Sequence, residues 1–216
     1  MQRLSATFLT SEEQQAVTTA VQEAERRTSG EIVPLIVAAS HHYPMARVRG
    51  AAFVGLPLAL LFTSLLGSSL WLGQQNMYLF LFFFALLYLA IAMVVNSSVT
   101  VKRLLLFDHE MREEVKEAAL TSFFLEGLSR TREENGILIF VSVLERKVWI
   151  LGDRGINDRI DPATWDHIVD DLTQGIRGGR QGQALCRAVR EVGDILAQHF
   201  PHRRDDTDEL HNLIIR

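Results

Sequence analysis

From residue 50 to residue 101 the chain holds no Asp, Glu, Lys, Arg or His, and no other feature limits its fold so strongly. A bilayer's hydrocarbon core needs roughly 20 apolar residues per helix, and this interval holds two such lengths, about 50–72 and 77–95. Gly73-Gln74-Gln75-Asn76 between them reads as a short polar turn. In a soluble fold two helices apolar on every side would have to be wrapped by other protein. The rest of a 216-residue chain is too small to do so. The interval therefore predicts a transmembrane hairpin, in which Pro57 is tolerable where neighbouring groups cover the carbonyl it frees. Neither span carries an ionisable side chain, so the hairpin reads as an anchor rather than an ion or proton path.

Charge sets the expected orientation. Arg47 and Arg49 precede the hairpin, Lys102 and Arg103 follow it, and the turn is uncharged. By the positive-inside tendency the expected location is the inner membrane, with two spans and both termini cytoplasmic. Trp71 and Tyr78 flank the turn as interfacial aromatics do. The opening stretch "MQRLSATFLTSEEQQ" lacks the apolar core of a signal peptide. A formal net charge of −4, with no basic stripe interleaved with aromatics, argues against nucleic acid as a partner. The single Cys186 excludes an intramolecular disulfide and suits a reducing compartment. It falls beside the apolar stripe of a helix, where packing explains it better than nucleophilic chemistry.

The flanking segments read as one α/β domain split by the hairpin: residues 1–46, then 47–103 for the hairpin, then 104–201, with a flexible tail at 202–216. Thr10-Ser11-Glu12-Glu13 caps a first helix whose apolar stripe is Val17, Val21 and Ala24, ended by Gly30. Glu31 to Ala39 predicts a strand, with Pro34 hinting at an edge or a bulge. Residues 107–135 predict one helix with Met111, Val115, Ala119, Phe123 and Leu128 inward. The continuous apolar run Ile137 to Val143 predicts a strand buried on both faces, joined by a tight turn to a partner strand, Lys147 to Leu151. Asp161-Pro162 starts a further helix by cap and N1 proline. Gly178-Gly179 breaks that helix, and "RGGRQG" is a helix–helix turn that lacks a P-loop's G-K-[ST] ending. A last helix follows, with Leu185, Val189, Val192 and Leu196 inward.

Three stretches together, "LTSEEQQAVTTAVQEAERRTSGEIVPLIV", "SRTREENGILIFVSVLERKVWILGDRGINDRI" and "QALCRAVREVGDILAQHF", resemble the TPM-domain family, which includes thylakoid-lumen acid-phosphatase-like and photosystem-repair proteins. The resemblance covers nearly all the chain outside the hairpin. It implies a mixed sheet flanked by helices, binding of calcium or magnesium, a phosphatase activity claimed for some members, and a part in membrane-protein maintenance or assembly. Many relatives carry a signal peptide, which this sequence lacks, and their glycine-rich loop is replaced here by D-R-G-I-N-D.

That loop is the candidate site. A right-handed crossover makes the first two strands parallel. Leu144 to Lys147 would then face the lipid headgroups, where Arg146 and Lys147 suit an anionic surface. D-R-G-I-N-D falls on the opposite rim, with Glu31, Glu133, Glu134, Asp153, Asp158 and Asp161. Asp153, Arg154, Gly155, Asn157 and Asp158 are the candidate ligand-binding residues. Asp153 and Asp158, completed by Glu133 or Glu134, form the candidate divalent site, because clustered carboxylate oxygens are what calcium takes. The alternative is structural: solvated strand-end acids, Gly155 supplying a positive φ, and Asn157 and Asp161 capping the next helix. No catalytic residue is assigned. Adjacent His41 and His42 point to opposite faces of an extended chain and do not form a metal pair. Asp166/Asp170 and His167/Asp171 lie on a solvated helix face.

Besides a purely structural anchor, two functions remain open from sequence. One is a membrane-anchored binding or adaptor module whose partners are the bilayer and another membrane protein. The other is a metal-dependent phosphatase holding the cation on the acidic rim, with Arg154 on phosphate.

Overall fold

The computed structural model describes residues 2–70, 76–131, 133–202 and 210–216. Trp71 and most of the predicted turn at 73–76 lie outside them. Along the chain, α1 (Gln2–Ala6) and α2 (Ser11–Glu25) lead into β1 (Glu31–Val37). Next come α3 (Met45–Gly50), α4 (Leu56–Leu70), α5 (Asn76–Ser97), α6 (Val99–Leu104) and α7 (Asp108–Leu125). Strands β2 (Gly136–Ser142) and β3 (Lys147–Gly152) are followed by α8 (Arg154–Asn157), α9 (Asp166–Arg177), α10 (Gln181–His199) and β4 (Ile214–Ile215). Two compact units result: Met1–His41 with Met111–Arg216, and His42–Glu110.

The first unit is an α/β fold around a mixed sheet of order β3-β2-β1-β4. As expected, β1 and β2 are parallel and β2 and β3 antiparallel. Every residue of β2 is buried, which its unbroken apolar run requires. Ile32, Ile36, Ile137 and Ile139 face a layer built from α2, α9 and α10. Val33, Leu35, Leu138 and Phe140 face Val115, Ala119 and Phe123 of α7. At the start of α2 the Thr10 side chain accepts from the Glu13 N–H while the Glu13 carboxylate accepts from the Thr10 N–H, a complete capping box.

Four expectations change. Pro34 does not mark an edge: β1 lies between β2 and β4. Ile36 and Ala38 exchange backbone hydrogen bonds with Arg216, so even-numbered residues of β1 face the β4 side. Pro34 shares that side just before β4 begins opposite Leu35, and the Ile32 N–H is taken by Glu25 Oε1 at 3.0 Å. The proline therefore sits where no ladder bond is asked of it. Secondly, the helix predicted over 107–135 stops at Leu125, because Gly127 turns left-handed at φ 80° and a 3-10 turn, Leu128–Arg130, follows. Thirdly, the tail is not frayed throughout. Ile214 and Ile215 pair with β1, and Leu210 and Leu213 join them in packing on the two cores. Finally, Asp161 does cap the next turn, accepting from the Ala163 N–H at 2.9 Å, but Pro162–Trp165 is 3-10 before α9 begins.

In the second unit, Met45–Gly67 and Asn76–Ser97 are each long and apolar enough to cross a membrane. Ala51–Gly55 forms a π turn, with the Leu56 N–H donating to the Ala51 carbonyl, one turn ahead of Pro57. It absorbs the register change that a proline inside a helix forces. Ala46, Gly50, Ala51, Gly55 and Ala59 are buried. A Cβ added at Gly50 would stand 2.8 Å from Ile91 of α5, so small side chains let the two helices approach. At one end Arg49 pairs with Glu110 at 2.5 Å and lies over the Phe107 ring, while Lys102 donates to the His42 carbonyl at 2.7 Å.

Candidate functional site

β3 ends at Gly152, and the chain turns at once into α8. Asp153 is the N-cap: its backbone N–H donates to the Gly136 carbonyl at 2.8 Å and its Oδ1 accepts from the Arg154 N–H at 2.7 Å. Asn157 closes the turn by donating from Nδ2 to the Gly152 carbonyl at 2.7 Å. Arg154 and Asp158 are exposed and stand 3.8 Å apart on one helix face. An exposed pair of that kind adds little to stability.

Gly155 is required for a reason other than the expected one. It is helical, and the glycines of positive φ among the described residues are Gly127 and Gly179. A Cβ at Gly155 would lie 2.7 Å from the Glu133 carbonyl oxygen and 2.8 Å from that of Glu134. The glycine lets α8 press against the backbone of the preceding loop, where Glu134 itself adopts φ 52°. The two segments paired from sequence, 133–134 and 153–158, are thus brought together, by main-chain packing.

Of the predicted carboxylates, Asp153 and Glu134 interact. Burial is the larger influence raising the Asp153 carboxyl above its ordinary range, the Arg154 N–H opposes it, and the Glu134 charge raises it further. Asp153 Oδ2 is buried and has no hydrogen-bond partner. Among the described residues no group of three or more His, Cys, Asp or Glu side chains stands close enough to hold a metal ion. Two carboxylates fall short of the roughly six to eight oxygens calcium takes, so the residues gathered here do not by themselves build its cage. Glu31 is buried at the start of β1. Burial also pushes the Cys186 thiol up, consistent with a packed side chain and not a nucleophile. His41 Nδ1 meets Glu114 Oε2 at 3.3 Å.

At the other end of β3, Arg146 is exposed at φ 53° and Lys147 is half-buried. The turn is pinned to the end of β1. The Val143 and Leu144 N–H groups donate to the Val37 and Ala38 carbonyls, and buried Glu145 accepts from Ser142 Oγ and from the Ser40 N–H. Arg146 and Lys147 also border a slot of about 570 Å³ along β3, which sequence reasoning missed. Arg112 of α7, Trp165, and Arg177 of α9 complete it. These residues are far apart in sequence, and only the sheet's layers bring them together.

An α/β unit with a mixed four-stranded sheet, interrupted in sequence by a pair of apolar helices, is the class this chain defines. Residues 97–195, somewhat under half of the chain, match the family model described as TPM domain, so over that segment the chain is similar to this family. The matched segment holds α7, β2, β3 and α9, while α2 and β1 of the same compact unit lie on the far side of the apolar helices. The fold is also similar to the NMR structure of BA42 protein from the psychrophilic bacterium Bizionia argentinensis. That likeness has a TM-score of 0.58 at 24% identity, covering 96% of this chain and 94% of that one. No curated protein matches the chain.

Proposed function

We propose that this protein is a TPM-domain protein anchored in the inner membrane by α4 and α5, with both termini cytoplasmic, and that its sheet-bearing unit is a binding module for another membrane protein. The observation that carries the reading is the all-round apolar surface of α5, where Leu89 is 64% and Met93 73% exposed and Val95 is the buried residue. Helices of that kind need lipid around them. Arg47, Arg49, Lys102 and Arg103 at the ends of the pair favour the cytoplasmic side. The Arg146-Lys147 turn is held at the end of β1 from which the chain leaves for these helices, which suits a place near the headgroups. Reporter fusions before residue 2 and after Arg216 are expected to report cytoplasm, and one at Gln74 the opposite side. A terminal fusion reporting outside overturns the orientation.

A second reading, a divalent-metal-dependent phosphatase, rests on the buried, unpartnered Asp153 Oδ2 beside Glu134. If calcium or magnesium binds there, millimolar cation raises the melting temperature of the full chain in micelles, and Asp153→Asn with Asp158→Asn removes the rise. An unmoved melt rejects the cation, and the loop is then a cap and a close-packed corner.

A further inference from the structure

β3 is an edge strand with a ready-made slot beside it, and what the slot offers is specific. Among the described residues no strand lies on the outer side of β3. The Asp153 N–H bonds to the Gly136 carbonyl, and Gly136 is the next residue opposite Asp153 in the β2–β3 register. In an antiparallel ladder bonded pairs alternate with unbonded ones, so Val148, Ile150 and Gly152 direct their backbone groups away from β2. The Gly152 carbonyl is already used by Asn157. That leaves both groups of Val148 and Ile150, and the Gly152 N–H, as an open ladder.

The walls of the slot match a peptide carrying negative charge. Arg112, Arg146, Lys147 and Arg177 border it, against Asp166 and Asp170, so the cations outnumber the acids by two. Trp149 and Ile150 supply apolar floor on the two faces of the strand. Trp165 also lines the slot. It is 97% buried, being 3% exposed, yet its indole Nε1 has no acceptor. A buried N–H without a partner costs free energy, which an incoming carbonyl or carboxylate oxygen would recover.

We propose that an extended, acidic polypeptide segment of a partner protein adds to the sheet along the open edge of β3, its main chain pairing with Val148 and Ile150, its acidic side chains meeting Arg146 and Arg177, and one oxygen accepting from Trp165 Nε1. Strand addition supplies main-chain hydrogen bonds for affinity and side-chain pockets for specificity. The inference rests on the binding-module reading and names the chemistry of the partner.

The test uses the full chain in detergent micelles and a fluorescent octapeptide of alternating Glu and Val, read by anisotropy. Its controls are the Lys-Val counterpart and a Glu-Val peptide N-methylated at every second residue. The Glu-Val peptide is expected to bind, the Lys-Val peptide not to, and N-methylation to weaken binding at least tenfold. Arg146→Ala with Arg177→Ala is expected to weaken it by a similar factor, and Trp165→Phe, which keeps an aromatic side chain and loses the donor, by several-fold. Equal binding of the N-methylated peptide means charge attraction alone and overturns strand addition. Absence of peptide binding also overturns it, whether the same cations instead hold the protein to phosphatidylglycerol vesicles or β3 pairs with a second copy in sedimentation. Photo-crosslinking from position 150 in native membranes separates the two levels. A captured membrane protein without peptide binding leaves the binding-module reading standing, and no capture with no peptide binding sinks both.

Discussion

Phe140, on β2 between two layers of helix, is fully buried, whereas Phe82, on α5, is 61% exposed, although the two side chains are chemically the same. In the sheet-bearing unit apolar residues are matched to faces: odd and even positions of β1 and β2 go to different cores, and α9 and α10 present polar residues outward. Along α4 and α5 the sequence offers no charged face, and the residues turned inward before and within α4 are small ones such as Gly50, Gly55 and Ala59. Apolar content alone does not say where a residue goes. Its periodicity does, together with the solvent that the unmatched faces require.

The largest effect expected from this contrast is at the phenylalanines themselves. Phe140→Ala should cost about 3–5 kcal/mol through lost burial and the cavity left behind. Phe82→Ala should stay within roughly 0.5 kcal/mol, since its side chain is exposed and not packed against protein. Denaturant titration of the full chain in micelles, read by circular dichroism, compares them. Comparable losses at the two sites would break the distinction between the units.

A smaller contrast sets two glycines against each other. At Gly155 an added Cβ meets main-chain carbonyls of Glu133 and Glu134, which cannot step aside without moving a loop. At Gly55 it meets the end of the Ile91 side chain at 3.1 Å, which can rotate. Gly155→Ala is therefore expected to cost about 1–3 kcal/mol, the range of overpacking, and Gly55→Ala less. Thermal melts of the two variants decide it. The reverse order would mean that the α8 corner is loose and the helical pair tight.

Much of this organisation is legible in the sequence because it is written as periodicity. The uncharged interval, the stripes of α2 and α10, the unbroken apolar run of β2 and the Asp161-Pro162 cap each depend on neighbours within a few residues. What escapes such reading depends on distant chain. β4 is two residues long and is defined by its pairing with Leu35 and Ile36 of β1, far away in sequence. Gly155 looks like a turn glycine, and its need for space appears only once residues 133–134 lie against it. Trp165 reads as part of an apolar face, and nothing local says that its N–H ends without an acceptor. Arg112, Arg146 and Arg177 stand apart in sequence and share one slot.

The smallest effect, and the most discriminating for the D-R-G-I-N-D loop, is the pH response of Asp153. Burial first, and the Glu134 charge after it, hold its carboxyl above the ordinary range in the folded chain. A group whose folded value is raised binds its proton more tightly when folded than when unfolded. Its contribution is thus fully present below the unfolded value and is lost as pH rises through the folded one. At neutral pH the ionised Asp153 works against the fold, partly offset by the bond it accepts from the Arg154 N–H. Asparagine at this position can still accept that bond and carries no charge. Asp153→Asn should therefore melt above the wild type at neutral pH, and the gap should close as pH falls through the acid range, where the native carboxyl takes up its proton. Asp158→Asn, at an exposed position beside Arg154, should show no such convergence. Melting curves for the three proteins between neutral and acid pH read the difference directly. Parallel wild-type and Asp153→Asn profiles across that range would show that the carboxyl is not perturbed by folding, and with it would fall the argument that burial and the Glu134 charge act on Asp153.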